Sequence, residues 1–420
     1  MTTPNDIQKN LSPLYNAQNS ASTRWLAKAS HMLVEDAWPI SRTISFDGSG
    51  FPFDTQDAAN RIFLDAVKKN GKVTSIGLKN QTLGLKAQLA FLNIISTNSN
   101  LNRLNLCNVS TSDPSDLVLN SSFSNSNIQE LTLQKCRINE EMALVLGQRI
   151  KSGLKKLKLI NLDLDIESLE LIEGIVHGSL FHLELRDVRI EHNLLMRLIE
   201  GLESNTCLEE LTLEHCGIDS TDVEGLSKLV ANNNVLRSLS LSSNNLDGES
   251  IGVLSEIGLR ENKSLRKLIL SCNPIGDVGA KHLTKLLISN PTIQSLSLVD
   301  CEIWSKGCTS IARGLAKMKG LKILIVDSEW ENHADTLLTS MKSNYSLVQL
   351  LSDRTAMLMS SDPQWKQLGF YLRLNKAKRR ILVEPGVPTS LWSQILAENN
   401  RDSTILYHFL SHKPELVPAK

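Results

Sequence analysis

The chain has no excess of either charge. Its 45 basic and 45 acidic residues cancel to a formal net charge of zero. A nucleic-acid binder or an anionic-membrane binder would show a basic surplus, so neither partner is expected. No run of eighteen apolar residues occurs, which excludes a membrane-spanning helix. The start, Met1-Thr-Thr-Pro-Asn-Asp6, lacks the basic region and apolar core of a secretory signal. The seven cysteines are odd in number and show no C-x-x-C spacing. They are read as reduced, buried thiols of a cytoplasmic or nuclear protein. Sequons such as Asn108-Val-Ser110 and Asn262-Lys-Ser264 carry little meaning without a secretory route.

Catalytic signatures are missing as well. There is no G-x-x-x-x-G-K-[ST] to cradle phosphate, no H-E-x-x-H and no G-x-S-x-G. His408 and His412 stand at i, i+4 but have no clear third ligand, so no metal site is expected. The reading is a protein without enzymatic activity, catalytic residues, cofactor or metal.

What the chain does have is a repeated phrase. Its plainest copies are Leu208-Glu-Glu-Leu211-Thr-Leu213-Glu-His-Cys216-Gly-Ile218 and Leu236-Arg-Ser-Leu239-Ser-Leu241-Ser-Ser-Asn244-Asn-Leu246. Phrases begin at Val73, Leu101, Ile128, Leu154, Leu180, Leu208, Leu236, Leu265, Ile293 and Leu321, 26 to 29 residues apart, and a truncated copy begins at Leu347. The fourth and sixth positions alternate with polar residues, which marks a short strand with one buried side. The ninth position is Asn244, Asn273, Cys136, Cys216 or Cys301. There the chain turns inward, and a small side chain can hydrogen-bond neighbouring turns. Val109, Leu162 and Val188 fill this place in weaker copies, and Gln81 and Glu329 in the terminal ones. Local irregularity is therefore expected between Leu101 and Ile190.

The return half of each repeat reads as a helix. Thr221-x-x-Glu224 has the form of a capping box, Val223, Leu226, Leu229 and Val230 share one helical face, and Asn232 to Asn234 end it. Ala280, Leu283, Leu286 and Leu287 repeat the pattern. The segment 55–70, with Ala59, Ile62, Phe63 and Ala66, predicts the first helix of the array. One strand and one helix per repeat predict an α/β leucine-rich-repeat solenoid (a horseshoe) of ten to eleven repeats, with its parallel sheet on the concave side and helices on the convex side.

The copies from Leu208 to Ile303 resemble the ribonuclease-inhibitor class of leucine-rich repeats. That resemblance implies protein binding, as in nuclease inhibitors and the sensor arms of innate immune receptors. It also raises the activating protein of the small GTPase Ran. Those members place an arginine just after an early strand to stabilise charge on the transferring phosphate. Here Gln81-Thr-Leu-Gly-Leu-Lys86 offers a lysine, which lacks the planar fork, and the long acidic tail of those proteins is absent.

Three segments are expected: a polar tail and cap over 1–55, the repeats over 56–352, and a helical tail over 353–420. Residues 1–22 are polar enough to be disordered. Trp25, Leu26, Met32, Leu33 and Trp38 suit a cap that seals the array. In the last segment, Leu391, Trp392, Ile395 and Leu396 form one apolar stripe, and Ile405, Leu406, Phe409 and Leu410 another. Its Asn375-x-Ala377-x-Arg379-Arg380, Leu391-Trp392 and Tyr407-x-x-Leu410-x-x-Lys413-Pro414-x-Leu416 resemble the tail behind such arrays in leucine-rich-repeat proteins of some single-celled eukaryotes. Lys376, Lys378, Arg379 and Arg380 form a basic cluster, read either as an import signal or acidic-partner contact or as the solvated side of a helix.

Positions three, five and seven of each phrase point away from the buried side. They present a basic step at Lys156 and Lys158, a mixed step at His182, Glu184 and Arg186, and an acidic step at Glu210 and Glu214. Ile323 and Ile325 lie in the last full phrase. A face sorted by charge and ending in apolar residues suits recognition of a protein, with charge setting register and apolar anchors supplying affinity. These nine residues are the expected partner site of a monomeric scaffold, sensor or inhibitor. The alternatives are a Ran-type GTPase activator, an adaptor acting through the helical tail, and a microbial effector mimicking host repeats.

Overall fold

The computed structural model describes residues 43–413 apart from 51–52, 71, 113–118, 125, 353–361 and 385–388. The expected polar tail and the capping residues Trp25 to Trp38 lie outside the described residues. The chain divides into two compact units, Met1–Cys216 and Gly217–Lys420.

The first unit holds parallel strands β1 (Thr43–Asp47), β2 (Ser75–Leu83), β3 (Arg103–Thr111), β4 (Glu130–Gln134), β5 (Lys156–Leu164), β6 (His182–Ile190) and β7 (Glu210–Glu214). Each pairs with the next in chain order, and like repeat positions face each other: Leu157 with Leu183 and Leu183 with Leu211. The fourth- and sixth-position leucines of β4 to β7 are at most 1% exposed. They pack against the apolar stripes of the return helices, such as Leu194, Leu195, Leu198, Ile199 and Leu202 on His192–Leu202. The helices Glu140–Lys151 and Leu169–His177 touch backbone to backbone. A Cβ on Gly174 would fall on Gly147 Cα, well inside the 3.0 Å that real Cβ contacts respect.

The turn after each strand follows one rule. The eighth residue is left-handed in all nine phrases from Val73 to Ile293: Asn80, Asn108, Lys135, Asn161, Asp187, His215, Ser243, Cys272 and Asp300, with φ between 51° and 58°. Five of these are Asn or Asp, the L-residues that visit this region most easily. Their side chains stack from repeat to repeat. Asn108 Nδ2 donates to Asn80 Oδ1 (3.0 Å), Asn80 Nδ2 to Asp47 Oδ1 (3.3 Å), and His215 Nδ1 lies 2.6 Å from Asp187 Oδ1.

The irregularity expected between Leu101 and Ile190 takes another form. Where Val109, Leu162 and Val188 replace Asn or Cys, the strands lengthen to nine residues and the ladder continues, pairing Gln81 with Val109 and Leu162 with Val188. An apolar ninth side chain cannot bond the turning carbonyls, so strand pairing satisfies backbone groups there instead. In the other copies the side chain does it. Cys216 Sγ donates to Leu185 O and Glu214 O, both at 3.5 Å.

The second unit repeats the scheme with parallel strands β8 (Ser238–Ser240), β9 (Lys267–Ile269), β10 (Ser295–Ser297), β11 (Ile323–Val326) and β12 (Gln349–Ser352). Asn273 Nδ2 donates to Leu241 O (2.9 Å) and Leu270 O (2.8 Å), while its Oδ1 accepts from Leu246 N (3.1 Å). A second asparagine ladder runs three residues ahead of several phrases. Asn262 donates to Val230 O (2.7 Å) and Asn233 O (3.3 Å) and accepts from Ser264 N and Leu265 N. Asn290 and Asn344 act alike. Asn375 extends the ladder into the tail by donating to Asn344 O (3.0 Å) and Leu347 O (2.8 Å).

The capping box at Thr221 does not form. The helix begins at Val223, and Thr221 bonds Asp219 instead, through Oγ1 at 2.7 Å and N at 2.8 Å. An aspartate two residues back makes a local turn that holds Thr221 outside the helix. The tail helices Pro363–Lys376, Thr389–Glu398 and Ser403–His412 enclose a small core of Leu374, Ile381, Trp392, Ile395, Ile405 and Phe409.

A candidate partner-binding face in each unit

Parallel, in-register pairing sets position three against position three and position five against position five in the next repeat. Charges that alternate between consecutive phrases are therefore brought within bonding reach. Glu130 is bridged by Arg103 Nε (2.7 Å) and Lys156 Nζ (3.4 Å). Glu184 on β6 is the hub of the first unit. Its Oε2 lies 2.7 Å from Lys158 Nζ and 3.5 Å from His182 Nε2, and its Oε1 lies 3.1 Å from Arg186 Nη2. His182 Nδ1 is 2.6 Å from Glu210 Oε2, and Arg186 Nη2 is 3.4 Å from Glu214 Oε2. The seven predicted charged residues of this unit thus fall into two linked clusters, with Glu130 and Arg103 as further members.

Burial sharpens this network. Glu184 is 7% exposed, while its partners Lys158 and Arg186 keep side chains 40% and 45% exposed. The nearby His182 imidazole acts most strongly; opposed by burial and joined by Lys158 and Arg186, it holds the Glu184 carboxyl down at about 2. Contact with Glu184 raises the His182 pKa, burial works against the shift, and Glu210 adds to it. The basic, mixed and acidic steps of the sequence are therefore not three separate charged patches. They neutralise one another sideways, and the network fixes its own side chains in place.

Ile323 and Ile325 belong to the second unit, half-buried on β11. Their register partners are Ser295 and Ser297 on β10 and Gln349 and Leu351 on β12. Leu351 is 43% exposed and belongs with them. Its signal was the fifth position of the truncated copy at Leu347.

The basic cluster of the tail is largely consumed by the fold. Arg379 is 5% exposed, donates to Met341 O (2.8 Å) and Asn344 O (2.7 Å), and stacks between Tyr345 and Tyr371 at 4.7 Å each. Lys378 pairs with Glu398 (2.9 Å) and Arg380 with Glu384 (2.7 Å). Lys86 is exposed in the first turn of Leu85–Thr97. His408 and His412 stack at 4.2 Å, and no group of three or more potential metal ligands occurs among the described residues. No described helix is long and apolar enough to cross a membrane.

A family profile described as "Leucine Rich repeat" matches residues 204–227, 232–255, 261–283 and 289–312. The ribonuclease inhibitor of Sus scrofa is 30% identical over 47% of this chain and 51% of its own length. "NACHT, LRR and PYD domains-containing protein 4C" of Mus musculus is 27% identical over 49% of this chain and 24% of its own length. The chain thus spans about half of the first relative and about a quarter of the second. Among solved structures, the yeast Rad7 and Elc1 complex aligns over 86% of this chain and 90% of the matched chain, at 15% identity and a TM-score of 0.43. The phrase, the in-register strand ladder and the matched repeats agree: the chain is built of leucine-rich repeats similar to those of the ribonuclease inhibitor.

Proposed function

We propose that the chain is a non-enzymatic protein-binding module, a scaffold, sensor or inhibitor, which holds a partner on the exposed side of its strands. The observation that carries this reading is the ion network centred on Glu184. Its cationic side chains are half-exposed yet already fixed by neighbours, so a partner meets a preorganised pattern and less side-chain freedom is lost on binding. Lys156, Lys158, His182, Glu184, Arg186, Glu210 and Glu214 are assigned to that contact in the first unit, and Ile323 and Ile325 to one in the second. The relatives support the reading, since one of them is by name an inhibitor of another protein.

The test is a cross-linking pull-down from native lysate with the intact chain and with the Lys156→Glu, Lys158→Glu, Arg186→Glu variant, after both pass a thermal-melt check. A partner captured by the first and lost by the second supports the reading for the first unit. Unchanged capture rejects it and directs attention to the tail from Tyr371 onward.

A further inference from the structure

The exposed strand faces of the two units differ in what they leave unsatisfied. In the first unit the charged side chains are spent on one another. In the second, Lys267 on β9 is exposed and makes no ion pair or hydrogen bond among the described residues. Its register neighbours are Ser238 on β8 and Ser295 on β10, so no carboxylate faces it from the strands on either side.

Beyond Lys267 the surface steps down and then up. Ser240 and Ser297 are 6% and 7% exposed, and Ser297 is already bonded to Ser271 at 2.8 Å. Half-buried Ile269 stands in register between them, so the low step beside the aliphatic side chains of β11 is Ser297 alone. Ile323, Ile325 and Leu351 rise beside it on β11 and β12, with Ile325 in register with both Ser297 and Leu351. Ile323 is two strands from Lys267, a separation of about 10 Å at the usual strand spacing.

We propose that this face docks a protein segment carrying an aliphatic anchor and a carboxylate about 10 Å from it, a spacing of three residues in an extended chain. The anchor covers Ile323, Ile325 and Leu351 beside the low step at Ser297, and the carboxylate pairs with Lys267. This deepens the function proposed above and rests on it. One cation beside an apolar ridge selects an acidic–aliphatic segment and disfavours a basic one, whose charge would meet Lys267 with no carboxylate to offset it.

The test pans a random twelve-residue peptide library against the full chain, then measures selected peptides by fluorescence polarisation. The expected consensus holds Asp or Glu three residues from Leu, Ile or Phe. Binding should weaken about tenfold in Lys267→Glu and also in Ile325→Ser, which only installs the residue of its neighbour Ser297. A peptide with Lys in place of its acid should bind Lys267→Glu better than the original chain. Lys306→Glu, an exposed charge reversal on the return helix Ser305–Gly314, should bind as before. No enrichment, a basic or purely polar consensus, or equal binding to Lys267→Glu overturns the proposal. If the native partner is lost only with the first-unit variant, the protein-binding reading survives and this assignment of chemistry falls.

Discussion

Replacing Glu184 with Gln keeps its shape and removes the one charge that Lys158, His182 and Arg186 share. The shift of its carboxyl from 4.5 to about 2 sets a ceiling of about 3 kcal/mol on the contribution of its charge to stability. Lys158 and Arg186 are 40% and 45% exposed, and screening at such side chains reduces the expected loss to about 1–2 kcal/mol at pH 7. The sign with pH follows from the two shifts. The depressed Glu184 pKa gives stability that is complete above the ordinary 4.5 and is lost as pH falls towards 2. The raised His182 pKa gives stability present below the ordinary 6.5 and lost as pH climbs through its folded value. The gap between the original chain and Glu184→Gln should therefore be widest in the window between those limits and narrow on both sides. Repeat arrays do not always unfold in one step, so a local readout is needed. Hydrogen exchange of β5 to β7 amides should quicken about five- to thirtyfold at pH 6, in proportion to the lost stability. The His182 pKa measured by NMR should fall in the variant. A change below about twofold, or a gap that stays flat from pH 6 to pH 3, refutes the hub.

Four other perturbations test the packing. Gly174→Val forces a side chain onto the Gly147 backbone and should cost more than about 3 kcal/mol in urea unfolding; a loss under 1 would contradict the backbone contact. Lys135→Asn places a better left-handed residue at φ 52° and should raise the unfolding free energy by about 0.5–1 kcal/mol. Asn262→Ala removes the side-chain donor to the buried Val230 carbonyl and the acceptor of two backbone amides, while Asn233 O keeps Ser264 Oγ at 3.2 Å, and should lose about 2–4 kcal/mol, with exchange rising first around Val230 and Leu265. Burial pushes the Cys216 and Cys301 thiols up to about 12, so both should resist a thiol reagent at pH 8, while exposed Cys207 and Cys272 react.

Much of the fold was legible because its unit is local. Leucines at positions four and six bury one side of each strand, and the return helix supplies its own apolar stripe. The left-handed eighth residue escaped notice because Lys135, His215, Ser243 and Cys272 give no local sign of it. They adopt that conformation because the strand before and the inward turn after leave no other path. The Thr221 box failed for a converse reason: its signal was local, but Asp219 offered a competing bond.

The sequence by itself determined the period, the identity of the buried positions and the residues on the exposed face, since a repeat of fixed length and alternating polarity allows few other arrangements. Only the tertiary structure decided what those exposed residues do. Pairing is made between side chains some 28 positions apart, and no local pattern states that Glu184 would gather Lys158, Arg186 and His182 while Lys267 meets no carboxylate among the described residues. Register across neighbouring repeats, set by backbone bonds between strands, turned a list of charges into a neutralised network in one unit and an open cation beside an apolar ridge in the other.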